Sequence, residues 1–349
     1  MGTGFFRGVA FRPRFGYKYS TRNERERMVV QRNGENIRLP DFLIVGAARS
    51  GTTTLFSLLG HHPGIFLPAE KEPMFLSVYG EPEIPIDVRT GRPAAYVVGE
   101  LDRYLDLFRP ARRGALLGEA STWYLYRHRM TIRNIRTLYG EKAGEVRIII
   151  ILREPAARAW SHYQMKRRNG EEDLPFERAI DPAVIRGRLE ENCTPGFDYI
   201  GFGRYFEPVR AYLENFPKVH VLWFEDLMAD AAGEARRVCA FLGLECSPVQ
   251  GRAPRLNVSG APKNRLMGAI GDFLFRPGAV KSLLKPWLPR RLRTGLKNRL
   301  SSRLFRPERL EAGPRERLAA VFADDIRALS ALTGRDLGRW LGPSARPGP

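Results

Sequence analysis

The sequence predicts an α/β protein of three layers, a central parallel sheet flanked by helices, with a basic helical part towards the C-terminus. Three observations predict it. Short apolar runs recur along the chain, and their continuity marks parallel strands buried on both faces. Segments of helical apolar spacing separate those runs, the order expected of strand–helix–strand units. A glycine-bearing turn joins the first run to the first helical segment.

Taken in order, residues 1–38 carry nine basic and three acidic side chains without a sustained apolar period, and read as a basic N-terminal arm. The domain is expected to span 39–341. Phe42-Leu43-Ile44-Val45 is its first buried strand, and Thr53–Leu59 has helical spacing through Leu55, Phe56, Leu58 and Leu59. Ile65-Phe66-Leu67 reads as a short strand. Further strands are expected at Ala115–Gly118, Val146–Leu152 and Val219–Phe224, with helices near 131–139, 155–168, 205–216 and 231–243. Within 276–309, eleven Lys and Arg face one acidic residue, and Leu292, Leu296, Leu300 and Leu304 recur every four positions. Residues 290–305 therefore read as a basic amphipathic helix. It suits the solvated outside of a packed helix, an anionic membrane surface or an anionic acceptor. Residues 308–341 read as helices broken near Gly334, and 342–349 as a tail.

With 349 residues, 43% hydrophobic and 27% charged, the chain has material for a sizeable core, which excludes bulk disorder. Its 57 Lys and Arg against 38 Asp and Glu give a net charge of +19, which points to anionic ligands or surfaces. Three cysteines without CxxC spacing argue against a disulfide framework or a Cys-rich zinc site. Five histidines without His-x-x-x-His spacing argue against a histidine-bound metal. Apolar runs fall short of the ~18 residues of a membrane span. Arg7, Arg12 and Arg14 interrupt the N-terminal apolar stretch, so no secretory signal is read. The expected location is cytoplasmic, with a peripheral anionic-membrane contact where the basic segment reaches one.

The most informative segment is Gly46-Ala47-Ala48-Arg49-Ser50-Gly51-Thr52-Thr53, between the first strand and its helix. Such a turn aims backbone N–H groups at one ligand, and the helix N-terminus adds positive partial charge. The threonine hydroxyls donate to the same oxygens, so the arrangement suits a phosphate-like group; a plain strand-to-helix turn with a threonine cap is the alternative. The spacing is close to a Walker A loop, but Thr52 stands where that loop needs lysine. The cation is displaced to Arg49. A second segment, Leu152-Arg153-Glu154-Pro155-Ala156-Ala157-Arg158-Ala159-Trp160-Ser161-His162-Tyr163, starts at a strand end and enters a helix at Pro155. Arg153 and Ser161 are placed to converge on one anion.

Together these segments resemble the sulfotransferases that use 3′-phosphoadenosine 5′-phosphosulfate (PAPS). The first matches their [KR]-x-G-[TS]-[TS] loop, with Arg49 for the commoner lysine. The second matches R-[DE]-P-x-x-R-x-x-S-x-Y. Residues 115–126 (ALLGEASTWYLY), 219–227 (VHVLWFEDL) and 335–341 (RDLGRWL) extend the likeness over about 39–341, towards the carbohydrate-type and bacterial branch that includes heparan sulfate sulfotransferases. The resemblance implies a P-loop-like fold and PAPS as co-substrate without a metal. It assigns the 5′-phosphosulfate to Arg49, Ser50, Gly51, Thr52 and Thr53, and the 3′-phosphate to Arg153 and Ser161. Lys263 and Arg265 fall where relatives place a cofactor-covering loop.

Sulfuryl transfer needs a proton acceptor for the attacking group and cations where charge develops on the leaving oxygen. Arg49 suits the second task. Glu72, in Lys71-Glu72-Pro73-Met74-Phe75, aligns with the family's catalytic glutamate, with Met74 where a histidine is usual; a surface salt bridge is the bland alternative. Lys71 and Glu119 are the candidate acceptor contacts. His61 and His62 precede Pro63 and suit a helix-end role, and His162 is expected to pack beneath the helix that carries Ser161. The reading is therefore a PAPS-dependent sulfotransferase with Glu72 as base, acting on a hydroxyl (less readily an amine) of a glycan, glycolipid or small metabolite. Two alternatives stand beside it: a P-loop kinase, with Glu225-Asp226 as its strand-end carboxylates, and a basic protein binding nucleic acid or another anion, although no specific nucleic-acid motif is present.

Overall fold

The computed structural model describes residues 28–32, 34–88, 90–245, 261–262, 305–306 and 308–341. Lys263, Arg265, residues 290–304 and the 342–349 tail lie outside them.

The chain opens with a hairpin of β1 (Val29–Arg32) and β2 (Glu35–Arg38), then enters β3 (Phe42–Gly46), α1 (Thr52–Leu59) and β4 (Ile65–Phe66). A small hairpin of β5 (Ile86–Asp87) and β6 (Arg92–Pro93) precedes α2 (Leu101–Asp106), β7 (Leu116–Ala120), α3 (Trp123–Tyr126) and α4 (His128–Tyr139). There follow β8 (Arg147–Leu152), α5 (Pro155–Arg168), α6 (Phe176–Ala179), α7 (Pro182–Glu190), α8 (Phe206–Asn215) and β9 (Val219–Trp223). The last described elements of length are α9 (Phe224–Ala229), α10 (Ala231–Phe241) and α11 (Ala312–Thr333), the latter ended by Gly334 at φ 68°.

Five strands form one parallel sheet in the order β4-β7-β3-β8-β9. Why the apolar runs are continuous is visible in their partition. Leu43, Val45, Ile148, Ile150 and Leu152 face one layer, packed with residues of α4, α5, α8 and α11. Phe42, Ile44, Ile149 and Ile151 face the other, against α1 and α10. A strand covered on both sides has no polar face to alternate with. Gly118 serves this packing: the Phe42 ring lies on it, and a Cβ there would sit 2.1 Å from Phe42 Cζ.

Two findings differ from the expectations. Residues 28–38 belong to the domain rather than to an arm: Asp41, almost fully buried, accepts from Met28 N at 3.0 Å and from Leu117 N at 2.7 Å. A charged carboxylate taking two backbone donors anchors the hairpin to β7. Phe224, expected to end a strand, instead begins α9. Among the described residues no helix is long and apolar enough to cross a membrane.

Candidate active site

The chain runs from β3 to β7 on one side and then crosses to β8 on the other. The carboxyl edge of β3 is therefore a topological switch point, where open α/β sheets leave a crevice. A groove of about 1670 Å³ occupies this edge.

The loop after β3 forms its floor. Gly51, at φ 93°, caps α1, and a Cβ there would approach Leu227 to 3.0 Å and Phe224 to 3.2 Å, so only glycine fits. Arg49 is also left-handed, at φ 67°. Its Nε donates to Ser161 Oγ at 3.2 Å, and Arg153, at the exit of β8, donates from Nη1 to the Arg49 carbonyl at 3.0 Å. The Arg153 guanidinium lies 4.4 Å from the centre of the Phe224 ring. Glu154 caps α5 by accepting from Ala157 N at 3.0 Å, with Pro155 opening the helix. Arg49, Arg153 and Ser161, far apart in sequence, thus meet in one groove with Gly51, Thr52 and Thr53. Burial, then the nearby Arg168 and Arg153, push the Arg49 guanidinium down to about 9, so it remains a cation at neutral pH. That crowding of arginines is the electrostatics of a site built for an anion.

Glu72 stands on the opposite lip. Its carboxylate is 2.6 Å from Lys71 Nζ and accepts from Thr122 Oγ1 at 3.2 Å. Lys71 reaches on to Thr52 Oγ1 at 3.4 Å, so it ties the two lips together. Glu72 and Met74 are both left-handed, at φ 63° and 60°. Non-glycine residues in that region cost roughly 1–3 kcal/mol each and persist where neighbours hold them. Here Glu72 N donates to Ala120 O and Met74 N to Ser121 Oγ, both at 3.0 Å, and Leu76 N to Tyr124 Oη at 3.1 Å. The exit of β7 thus fixes the direction of Glu72.

Two expected contacts are corrected. Glu119 does not reach the groove: it is fully buried and accepts from Tyr104 Oη at 3.1 Å and Ser121 Oγ at 2.6 Å. Strand alternation turns it, like Leu117, into the layer of α2–α4. Burial raises its carboxyl to about 7. Ser50 is likewise fully buried beneath the loop and does not line the groove. His61 bonds the Ser57 carbonyl and His62 the Glu245 carbonyl, away from the groove. His162 sits against Arg158 at 3.2 Å, and burial with that arginine pushes it well below its usual range. Asp226 pairs with Arg335 at 3.0 Å. Among the described residues no cluster of His, Cys, Asp or Glu is arranged to hold a metal ion.

Sequence reasoning missed Thr54, Arg168, Tyr96 and Phe202, which also line the groove. Arg168 was findable, because seven residues after Ser161 is two helical turns along the same face. Tyr96 lies in irregular chain and carries no such signal.

Fold and site define a class: an α/β domain with clustered arginines and hydroxyls at the carboxyl edge of a parallel sheet, and a carboxylate facing them. The chain belongs to the sulfotransferase family, whose model matches residues 40–248. A crystal structure of a sulfotransferase from Alicyclobacillus acidocaldarius is similar, with 28% identity and a TM-score of 0.62 over 87% of this chain and 99% of that one. Among curated proteins, heparan sulfate glucosamine 3-O-sulfotransferase 3B1 of Mus musculus is 26% identical over 210 residues, 60% of this chain and 47% of its own length. The bifunctional heparan sulfate N-deacetylase/N-sulfotransferase 2 of Bos taurus is 26% identical over 59% of this chain and 22% of its own. The chain thus spans about half or less of the length of these curated relatives.

Proposed function

We propose that the protein transfers the sulfuryl group of PAPS to a hydroxyl of a glycan, glycolipid or small metabolite. The observation that carries this is the meeting of Arg49, Arg153 and Ser161 in one groove, with Glu72 on the facing lip. These residues fit the cofactor: two arginines, loop amides and three hydroxyls suit a ligand that bears anionic groups at both ends. When bound, PAPS supplies a sulfuryl group on a phosphate leaving oxygen. Glu72 takes the hydroxyl proton of the acceptor as its oxygen attacks sulfur, with Lys71 and Thr122 holding the carboxylate in position. Arg49 neutralises the charge that grows on the departing oxygen. Arg153 and Ser161 read the remote 3′-phosphate. Similarity to relatives named for heparan sulfate supports a glycan-like acceptor.

The test is thermal stabilisation by 3′-phosphoadenosine 5′-phosphate (PAP), compared with ATP plus Mg²⁺ and with duplex DNA. A ligand at 100 times its Kd stabilises by about 2.7 kcal/mol, so PAP alone should raise Tm clearly. A larger shift with ATP and Mg²⁺, or with DNA, would overturn the proposal.

A further inference from the structure

The segment that carries Glu72 is held by hydroxyls, and those hydroxyls are held in turn by a buried carboxyl. Met74 N donates to Ser121 Oγ at 3.0 Å, and Leu76 N to Tyr124 Oη at 3.1 Å. A hydroxyl has one proton, and its lone pairs stay turned to an N–H group when that proton is engaged elsewhere. Here Glu119 engages both protons. Ser121 Oγ donates to its Oε1 at 2.6 Å, and Tyr124 is hydrogen-bonded to the same carboxyl. Tyr104 Oη donates to Oε2 at 3.1 Å.

Packing alone does not call for a carboxyl at this point. Glu119 is fully buried beside a layer of Leu117, Phe75 and tyrosines, where desolvating it is costly. It closes two bonded chains, Met74 N–Ser121–Glu119 and Leu76 N–Tyr124–Glu119, in which each link polarises the next. Both chains end on the segment where Glu72 and Met74 hold left-handed backbones, which persist when their surroundings over-determine them. An apolar residue at 119 would leave the Ser121 and Tyr124 protons without this acceptor and free the hydroxyls to turn from the N–H groups.

We propose that Glu119 is a positioning residue for the reaction: acting through Ser121 and Tyr124, it holds residues 72–76 so that the Glu72 carboxylate faces the groove. The inference rests on the sulfotransferase reading, in which Glu72 is the base, and adds a residue that touches neither substrate.

The experiment has two readouts on the full chain, at about pH 8, above the value of about 7 to which burial raises Glu119. The first is amide hydrogen exchange. The second is cleavage of PAPS with water as the acceptor, which yields PAP and sulfate. Glu119→Gln should speed exchange in 72–76 and slow PAP release, each by roughly tenfold, the scale of one charge-assisted hydrogen bond. Exchange in 147–152 and PAP affinity should stay as in the parent. Tyr104→Phe, which removes only the donor to Oε2, should change neither readout. In a Glu72→Gln background, Glu119→Gln should cost no further rate, because its effect runs through Glu72. Unchanged exchange in 72–76, a loss of rate equal in both backgrounds, or a fall in PAP affinity would each overturn the inference. Should Glu119→Gln not fold, Ser121→Ala combined with Tyr124→Phe cuts the same two links, and a parental rate there would overturn it equally. A parent that neither binds PAP nor releases it from PAPS would instead remove the reading on which the inference rests.

Discussion

Glu119 provides a prediction that needs no substrate. The carboxyl is fully buried, and burial raises it from an ordinary 4.5 to about 7. Ser121, Tyr124 and Tyr104, by hydrogen bonding, and Lys71, by its charge, oppose that rise without cancelling it. A raised carboxyl means that the folded protein holds its proton more tightly than the unfolded chain. Below 4.5 both states are protonated. Between 4.5 and 7 the unfolded chain ionises while the folded one does not, so stability is lost with rising pH; above 7 the loss is complete and level. At about 1.36 kcal/mol per tenfold change in proton affinity, the whole loss is about 3 kcal/mol. Glu119→Gln removes it. Urea denaturation followed by tryptophan fluorescence at closely spaced pH values from 4 to 8.5 measures both proteins. The stability of the variant minus that of the parent should climb by about 3 kcal/mol across this window and then level off. Any misfit of the amide against Tyr104 or Ser121 adds a constant offset and leaves that shape alone. A difference independent of pH would refute the reasoning.

Other outcomes follow from the groove. Arg49→Ala should keep its fold and lose turnover by roughly 100–1000-fold, the usual effect of removing a transition-state donor; near-normal kcat would discard its role. Arg153→Ala and Ser161→Ala should weaken PAP more than adenosine 5′-phosphosulfate, which lacks the 3′-phosphate, and equal losses for both ligands in a direct titration would show that the pair does not read it. Glu72→Gln should lower kcat by roughly 100–10,000-fold with PAP affinity retained; a rise confined to the acceptor KM would make Glu72 an orienting group instead.

Much of this architecture was legible, for identifiable reasons. The strands β3 and β8 stand out because both faces are covered, leaving uninterrupted Phe42–Val45 and Val146–Leu152 runs. The entry to α5 is written in Glu154-Pro155, a cap followed by a residue that suits only a first turn. That Arg49, Arg153 and Ser161 meet was legible because their groups follow strand ends at fixed spacings. Glu119 was misplaced for an instructive reason: its position near the carboxyl end of a strand was read, but not the face it takes. That depends on the tyrosines of other elements, Tyr104 and Tyr124, which come to solvate it. The β5–β6 hairpin and the short helices of 176–190 have too few residues to show a period. Tyr96 becomes meaningful only once Trp123 is folded beneath it. Nor does any local pattern announce that Glu72 and Met74 are left-handed, because the cause lies in bonds to Ala120 and Ser121.

The bond from Arg153 to the Arg49 carbonyl has a consequence beyond holding two residues near each other. The two arginines leave neighbouring strands, β3 and β8, whose spacing of ~4.8 Å is fixed by the sheet ladder. They behave as the jaws of a caliper whose hinge is the core itself. In the proposed reaction such an instrument would select a nucleotide by the length between its charges as well as by charge. The side chains can swing, but the strand exits from which they start keep the separation that pairs Leu43 with Ile148 and Ile44 with Ile149.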